Sequence, residues 1–350
     1  MGHGQSEAAS SRVRGAGGFW PVHPGAGADG VPAPGCPLNL APAVAGKGKI
    51  LVIRGGAIGD FILTLPAVAA LRRQFPEAHL EVLGYSHIVQ LAIASGLADR
   101  AQSIEARALA GFFARGGELA SDWVDYFSEF DLIVSYLYDP DQIFRANVAR
   151  CTGAQFIAAP HRPDERAGLH ATQVYLKPLE QLAIFEADPV PHLSFGRGGA
   201  MGRQLALHPG SGSESKNWPE HAWAELLERL VHETGFDLLL VGGEAEGERL
   251  QRLAAALPPT RLRVAQSLPL PQLGNLLEQC RGFVGHDSGI SHLAAAVGLP
   301  GVLLWAHSAE SIWRPPSRRM RLLRHPESLR LLPVSEVFDA VCQLERPAAG

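Results

Sequence analysis

The chain has 350 residues, of which 46% are hydrophobic and 19% are charged, and its formal net charge is -4. This length is enough for two domains with separate cores, and the slight acidic balance argues against a general nucleic-acid-binding protein. No stretch reaches about 18 uninterrupted apolar residues, so no membrane span is predicted.

The composition also indicates a reducing compartment. The four cysteines are far apart and match no metal-binding spacing, so we expect no metal site. Sparse, scattered thiols are typical of the cytosol, and the first 20 residues lack the apolar segment of a signal peptide. We therefore expect a cytoplasmic protein, with peripheral contact to the inner membrane left open.

The first 48 residues differ in composition from the rest of the chain. They are rich in Gly, Pro, Ala and Ser and contain few large apolar residues. Such a segment cannot bury enough apolar surface to offset its ordering entropy, so it is predicted to be a disordered tail.

Strands and helices then alternate. The run "KILVIRG" predicts a buried strand, and "DFILTLPAVAALRRQFP" predicts a helix that kinks or restarts at Pro66. "HLEVLGY" and "FDLIVSYL" predict further strands, and "HIVQLAIASGLAD" predicts a helix between them. This βαβ alternation is typical of a parallel sheet covered by helices.

A Pro- and Gly-rich stretch at residues 188–203 indicates a linker, after which the alternation restarts. Strands are predicted at "QLALHPG", "DLLLVGG", "GFVGHD" and "PGVLLW", with helices between and after them. We therefore predict two doubly wound α/β domains, at residues 49–195 and 196–350. The final helix is a candidate to pack back on the first domain. Ligands in such sheets bind at the carboxyl ends of the strands, here in the cleft between the domains.

The segment "LHPGSGSESKNWP" follows one of these strands. Its two glycines let backbone N–H groups approach an anion, while Ser211, Ser213 and Lys216 add hydroxyl donors and a positive charge. The ending of a Walker loop is absent. The residues alone are compatible with a diphosphate site or with a flexible polar connection.

The segment "VGHDSGISHLAAAVGLP" gives a stronger signal. Asp287 or Ser288 can cap the following helix, and Gly289 leaves the helix N-terminus open to phosphate oxygens. His292 lies one turn further and can face the same ligand. The alternative is a capped helix with a buried histidine.

Two further strand ends carry carboxylates. Glu244 in "VGGEAEGERL" can accept hydrogen bonds from ribose hydroxyls, or it is only a favourable charge in the first turn of a helix. Asp60 in "GGAIGD" can act as a general base towards a hydroxyl, or it is only an N-cap. The glycines of "GGAIGD" do not have the spacing of a dinucleotide fingerprint.

Together, "ILVIRGGAIGDFILTLPAVAALRRQFP", "HPGSGSESKNWP", "VGGEAEGERL" and "GHDSGISHLAAAVGLP" resemble glycosyltransferase family 9, the lipopolysaccharide heptosyltransferase family, over residues 49–320. The resemblance implies a GT-B fold, with the acceptor on the N-terminal domain and the nucleotide sugar on the C-terminal domain. It also implies an inverting, metal-independent transfer from an ADP-linked sugar, with no cofactor besides this donor.

The resemblance further assigns roles to residues. The Gly-Asp pair of the family falls on Gly59 and Asp60, which makes Asp60 the general base, and Arg54 lies on the same acceptor side. Its phosphate-binding lysine falls on Lys216, with Ser211 and Ser213 nearby, and Glu244 matches an acidic position near the ribose. The donor-binding segment of the family matches Asp287, Ser288, Gly289 and His292, and residues 266–273 are expected near the adenine.

Two other functions remain open from the sequence. A nucleotide-sugar epimerase on the same architecture would use the diphosphate site without an acceptor. A non-catalytic nucleotide-sugar-binding protein would keep Lys216 and Ser288 as ligands, with Asp60 as a helix cap only. The expected partners of a transferase are a nucleotide sugar and a lipid-linked or lipopolysaccharide-type glycan, with no nucleic acid.

Overall fold

The computed structural model describes residues 48–196 and 202–344, and all strand pairs in it are parallel. A first sheet has the order β3-β2-β1-β4-β5. Its strands and the helices that accompany them are β1 (Lys49–Arg54), α1 (Ile58–Gln74), β2 (His79–Gly84), α2 (Ser86–Ala94), β3 (Arg100–Ser103), α3 (Ser121–Ser128), β4 (Leu132–Ser135), α4 (Ile143–Val148), β5 (Gln155–Ala158) and α5 (Ala171–Leu176).

A second sheet has the order β11-β10-β9-β6-β7-β8. Its elements are β6 (Gln204–His208), α6 (Glu220–Glu233), β7 (Asp237–Gly242), α7 (Gly247–Ala255), β8 (Leu262–Gln266), α8 (Leu270–Glu278), β9 (Gly282–His286), α9 (Gly289–Ala296), β10 (Gly301–Leu304), α10 (Glu310–Trp313), β11 (Met320–Leu323) and α11 (Val334–Leu344). Short 3₁₀ helices cover Arg107–Phe113, Glu165–Ala167, Lys177–Leu182, Glu214–Lys216 and Leu329–Leu331.

The strand orders place a topological switch point in each sheet. In the first sheet, β2 and β3 lie on one side of β1, and the chain then returns to place β4 and β5 on the other side. In the second sheet, β7 and β8 lie on one side of β6, and β9, β10 and β11 lie on the other side. A crevice forms at the carboxyl ends of two such strands, because their following loops diverge. The loops after β1, β4, β6 and β9 are therefore the expected ligand-binding loops of this fold.

Helices α1 and α2 of the first half pack against α9 and α8 of the second half. One hydrophobic core runs through this contact and includes Leu65 and Val68 of α1 together with Leu293 and Ala294 of α9. All four side chains are at most 1% exposed. Helix packing between the sheets thus fixes the start of α1 beside the start of α9.

Two glycines make this approach possible. A Cβ atom on Gly289 would lie 2.7 Å from Cβ of Ile58 and 3.1 Å from the backbone nitrogen of Gly59. A Cβ atom on Gly59 would lie 3.1 Å from Cδ2 of His292. The helix starts therefore cross in direct backbone contact, which we call the glycine crossing (Gly59 and Gly289).

We expect Gly289→Ala to destabilise the protein by about 1–3 kcal/mol, because the new methyl group overlaps backbone and a β-branched side chain. Urea unfolding measures this loss. The control is Gly153→Ala, because a Cβ atom there meets nothing within 4 Å. Equal stability of the two variants would contradict the crossing.

The expectation of two parallel, doubly wound sheets is confirmed. Pro66 lies inside α1, which continues through it without a restart. The option that the last helix packs back on the first domain is wrong, because α11 packs on α6 and β10. Residues 1–47 of the predicted tail (residues 1–48) and residues 197–201 of the predicted linker lie outside the described residues, and the domain boundary at 195/196 stays a prediction.

Candidate functional site

A cavity of about 580 Å³ lies between the two sheets, where the loops after β1, β4, β6 and β9 meet. It is lined by residues of both halves: Arg54, Gly55, Gly56, Ala57, Gly59, Asp60, Leu63, Tyr136, Leu137, Tyr138, His161, Arg162, Lys216, Asp287, Ser288, Gly289, His292, Ser308 and Trp313. The two switch points thus face one space.

Asp60 occupies the third position of α1, which begins after Ala57. Its Oδ2 accepts a hydrogen bond from the backbone N–H of Ala57 at 3.1 Å, so Asp60 is not the N-cap. Its Oδ1 lies 3.7 Å from Nη2 of Arg54, and the side chain is 32% exposed towards the cavity. The carboxylate therefore lies between the N-terminus of α1 and the Arg54 guanidinium.

Arg54 is buried at the end of β1, with only 3% of its surface exposed. It donates to the carbonyl of His161 at 2.8 Å and to the hydroxyl of Tyr175 at 3.0 Å, and its Cζ lies 4.6 Å from the Tyr175 ring centroid. The prediction placed Arg54 on the acceptor side. The structure shows that its guanidinium is committed to internal partners behind Asp60.

Lys216 lies on the opposite side of the cavity, in the loop after β6. Its Nζ lies 2.6 Å from Oδ2 of Asp287, which follows β9, and Ser308 donates a hydrogen bond to the same oxygen. Lys216 is 34% exposed, whereas Asp287 is 10% exposed. The more buried carboxylate therefore orients the ammonium group at the cavity wall.

The N-terminus of α9 also opens on the cavity. Ser288 is its N-cap, and its Oγ accepts a hydrogen bond from the backbone N–H of Ser291. His292 lies one turn further, 6% exposed, and its Nδ1 has no hydrogen-bond partner among the described residues. His292 lines the cavity, and this unpaired nitrogen is itself buried.

The buried histidines predict a dependence of stability on pH. Burial lowers the pKa of His292 from 6.5 to about 4 and that of His286 to about 3, with the nearby carboxylates opposing the shift at His292. Between these values and 6.5, the unfolded chain binds protons that the folded chain does not. The free energy of unfolding therefore falls as the pH is lowered through this window.

We expect the free energy of unfolding of His292→Leu to depend less steeply on pH than that of the wild type between pH 6.5 and 4. Urea unfolding at several pH values measures the slope, with the exposed His221→Leu as the matched control. An unchanged slope in His292→Leu would show that this imidazole titrates normally in the folded chain.

His286 fixes the loop that carries Lys216. Its Nε2 accepts from the backbone N–H of Trp218 at 2.9 Å, and its Nδ1 lies 3.2 Å from the carbonyl of Gly210. The two ends of the loop are therefore tied to one neutral imidazole on β9. This histidine stands inside the motif "VGHDSGISHLAAAVGLP", but its residue type and position gave no signal of this role.

Three predicted donor-side residues do not line the cavity. The Ser211 hydroxyl is 2.7 Å from Oδ1 of Asn217 inside the loop, and Ser213 contacts Ser215. Glu244 is exposed on the turn after β7. The neighbouring Glu246 instead accepts from the backbone N–H of Gly243 at 2.9 Å. The donor-binding roles of Ser211, Ser213 and Glu244 remain predictions.

Several residues of the cavity and its rim could not be identified from the sequence, because they lie outside the quoted motifs and follow no periodic pattern. Tyr138 lies in the loop after β4 and packs on His161 in the loop after β5, with ring centroids 4.6 Å apart. Trp313 of the second half donates to Glu165 at 3.0 Å, and Cζ of Arg162 lies 5.2 Å from its ring centroid. These side chains form the outer rim (Arg162, Glu165, Trp313), where the two halves touch. Tyr136 in "FDLIVSYL" and Tyr138 just after it were the available signal.

Metal-ligand clusters and membrane-spanning helices are both absent from the part of the chain that the structure describes. Residues 48–196 and 202–344 contain no group of three or more His, Cys, Asp and Glu side chains placed to hold a metal ion. In the same ranges, no helix is long and apolar enough to cross a bilayer.

Comparisons with known proteins agree with this architecture. The profile of "Glycosyltransferase family 9 (heptosyltransferase)" matches residues 174–330. Lipopolysaccharide heptosyltransferase 3 of Escherichia coli is 22% identical over 299 residues, covering 75% of this chain and 84% of that protein.

Solved structures show the same fold. The structure of E. coli ADP-heptose lps heptosyltransferase II has a TM-score of 0.68 and 20% identity, covering 85% of this chain and 98% of the other. E. coli heptosyltransferase WaaC with ADP has a TM-score of 0.67 and 18% identity, covering 85% and 99%. The predicted GT-B fold is thereby confirmed.

Proposed function

We propose that this chain is a heptosyltransferase-like glycosyltransferase of family 9 and that it transfers a heptose from ADP-heptose to a lipopolysaccharide core or related cell-envelope glycan. The transfer inverts the anomeric centre and uses no metal ion. One observation carries the proposal: Asp60 and Lys216 face the same cavity from the switch points of opposite sheets.

On the acceptor side, Asp60 is the general base. The acceptor hydroxyl loses a proton as it attacks the anomeric carbon, and a carboxylate within hydrogen-bond reach accepts that proton. Oδ2 is oriented by the N–H of Ala57, and Oδ1 is oriented by Arg54. Arg54 acts through Asp60 in this proposal, because Nη1 donates to the carbonyl of His161, Nη2 donates to the hydroxyl of Tyr175, and Nε is buried without a hydrogen-bond partner among the described residues.

On the donor side, Lys216 and the start of α9 stabilise the charge that develops on the departing diphosphate. The ammonium group and the helix N-terminus supply this stabilisation from fixed positions. The Asp287 carboxylate already holds Lys216 at the cavity wall. A bound diphosphate then takes part of the coordination of Lys216, while Ser308 keeps its hydrogen bond to Asp287.

The nature of the donor and acceptor comes from the relatives. One of the similar E. coli structures holds ADP, and another is that of an ADP-heptose lps heptosyltransferase. The relative that matches 299 residues is a lipopolysaccharide heptosyltransferase. These relatives support ADP-heptose and a lipopolysaccharide-type acceptor for this chain, with a cytoplasmic location as part of the same proposal.

A thermal-shift screen with ADP-, UDP-, GDP- and CDP-sugars tests the donor. We expect ADP-heptose to raise Tm, because a ligand that binds only the folded state stabilises it. A larger increase in Tm with a UDP-, GDP- or CDP-sugar would assign a donor that carries that nucleotide instead.

Product analysis tests the reaction. We expect sugar transfer only when a heptose-deficient lipopolysaccharide acceptor is present, with inverted configuration by NMR and full activity in EDTA. An epimerised sugar formed from donor alone would establish an epimerase instead. Donor binding without turnover on such acceptors would favour a non-catalytic binding protein.

A further inference from the structure

A second cavity, of about 240 Å³, adjoins the candidate site on the first half of the chain. It lies at the carboxyl ends of β4 and β5, and its lining includes Gln142 and Arg145 at the start of α4. We call it the side cavity. Leu137, Tyr138 and His161 line both the side cavity and the larger cavity of the candidate site. The two cavities are therefore direct neighbours with a shared wall.

Tyr138 is the most exposed part of this shared wall. It is 71% exposed, and its ring packs on that of His161 with centroids 4.6 Å apart. Its hydroxyl has no hydrogen-bond partner among the residues that the structure describes. A sugar ring packs its apolar C–H face on an aromatic ring, while its hydroxyl groups form hydrogen bonds at the edge. Tyr138 therefore offers a platform on which a glycan can pass from one cavity to the other.

Two polar side chains of the side cavity are also unpaired. Arg145 contacts the ring of Phe156, with Cζ 5.8 Å from the ring centroid. Within residues 48–196 and 202–344, its guanidinium forms no ion pair or hydrogen bond, and the side-chain amide of Gln142 forms no hydrogen bond. Both groups can therefore exchange hydrogen bonds with the hydroxyl groups of a ligand.

The turn before α4 holds these side chains in place. The Asp139 carboxylate accepts hydrogen bonds from the backbone N–H of Phe144 at 3.1 Å and of Arg145 at 3.0 Å. Gln142 has a φ of 53°, a left-handed conformation that a non-glycine residue rarely adopts and that is enriched at functional sites. The Asp139 carboxylate is thus occupied by backbone N–H groups, which leaves the Arg145 guanidinium free for a ligand.

The shared wall is also tied to the proposed base. The carbonyl of His161 accepts from Nη1 of Arg54 at 2.8 Å, and Nη2 of Arg54 lies 3.7 Å from Oδ1 of Asp60. Lys216, the proposed diphosphate contact, comes from the other sheet and does not line the side cavity. A group bound in the side cavity would therefore lie on the acceptor side of the catalytic centre.

We propose that the side cavity binds one sugar ring of the acceptor glycan, next to the sugar that receives the transferred group. That ring packs on Tyr138, and its hydroxyl groups bind Arg145 and Gln142. A volume of about 240 Å³ is below the roughly 300–1,000 Å³ of pockets for drug-sized ligands, which suits a single ring. The proposal rests on the proposed function and deepens it, because the substrate is then an oligosaccharide end of at least two sugars.

Transfer to a long and to a short acceptor tests the proposal on the full chain. The long acceptor is the delipidated core oligosaccharide of heptose-deficient lipopolysaccharide, and the short one is its terminal sugar alone, as the methyl glycoside. Binding of the second ring should raise kcat/KM for the long acceptor above that for the short one. Equal values of kcat/KM for the two acceptors with the wild type would overturn the proposal.

Arg145→Ala is expected to lower kcat/KM for the long acceptor by about 10- to 100-fold, because a charge-assisted hydrogen bond is lost. The ratio of kcat/KM between the long and short acceptors should fall with it, since the short acceptor does not reach the side cavity. Arg115→Ala, at an exposed arginine outside both cavities, is the control and should keep the wild-type ratio. A loss of equal size on both acceptors in Arg145→Ala would indicate a structural role and overturn the assignment.

Gln142→Gly separates binding from stability. Glycine adopts a φ of 53° without strain, so Tm should not fall. The kcat/KM for the long acceptor should decrease by about 2- to 10-fold, because the amide is removed. Ala183→Gly makes a matched backbone change at a φ of 58° outside the side cavity and should transfer sugar like the wild type. Unchanged transfer to the long acceptor by Gln142→Gly would contradict the assigned contact.

Two further measurements identify the bound group and separate this proposal from the proposed function. If removal of phosphate groups from the long acceptor abolished the effect of Arg145→Ala, the side cavity would bind a phosphate group and the sugar-ring proposal would be overturned. If neither acceptor were glycosylated, the proposed function would fail. Calorimetry with the long acceptor alone then tests the side cavity by itself: a Kd raised about 10- to 100-fold in Arg145→Ala supports it, and an equal Kd overturns it.

Discussion

Asp60→Asn is expected to lower kcat by about 10²–10⁴-fold, because an amide cannot accept the proton of the acceptor hydroxyl. The affinity for the donor should stay near the wild-type value, since Lys216, the proposed diphosphate contact, comes from the loop after β6 of the other sheet and is left intact. Initial rates with saturating acceptor measure kcat, and calorimetry with ADP-heptose measures binding.

The asparagine variant is suited to this test because it preserves the local structure. Its amide oxygen can still accept from the N–H of Ala57, as Oδ2 of Asp60 does at 3.1 Å. Asp122→Asn serves as the control, because Asp122 also lies in the first turn of a helix but outside the cavity. If Asp60→Asn retained transfer within tenfold of the wild type, another group would have to be the base.

Lys216→Ala is expected to raise the Kd for ADP by about 10- to 100-fold, in line with the loss of one charge-assisted hydrogen bond. The Asp287 carboxylate would then face the diphosphate without its partner, which adds repulsion. Calorimetry with ADP gives the Kd directly.

A double-mutant cycle with Asp287→Asn separates these two effects. The neutral amide should recover part of the lost affinity in the Lys216→Ala background. Lys49→Ala is the control, since Lys49 is also paired with a carboxylate, that of Glu129, at the far end of β1. Unchanged ADP affinity in Lys216→Ala would remove Lys216 from the donor site.

The buried strands of the fold could be predicted from the sequence because each is an apolar run between turn residues. The edge strands could not. Each of β3 (RAQS), β5 (QFIA), β8 (LRVAQ) and β11 (MRLL) contains exposed positions, whereas the equally short strands β4 (LIVS) and β10 (GVLL) are buried throughout. A short strand that is buried on one face only contains no continuous apolar run. Whether it forms therefore depends on pairing with strands that are distant in the chain.

The candidate site was predictable where a residue lies in the loop or the first helical turn after a central strand. Asp60, Lys216, Asp287 and His292 all line the cavity, as expected from the carboxyl ends of β1, β6 and β9. The position of Glu244 depends instead on where α7 begins. The helix starts at Gly247, so Glu246 turns back onto Gly243 while Glu244 remains exposed.

The residues of the outer rim could not be predicted from the sequence. Arg162 and Trp313 are 151 positions apart in the numbering and follow no periodic pattern. They meet because the two halves pack on each other, with α1 and α2 against α9 and α8. Sequence patterns describe local structure, and this contact exists only in the assembled fold.

The glycine crossing also determines how the cleft can open. Gly289 meets the backbone of Gly59 and the side chain of Ile58 with no room to shift. If donor binding moves the two halves, we therefore expect a rotation about this point, with Asp60 moving little and the outer rim moving most. Fluorescence energy transfer between labels at Arg162 and Ser311 should report a larger change on donor binding than labels at Glu77 and Arg281. Equal changes at both pairs would exclude rotation about the crossing.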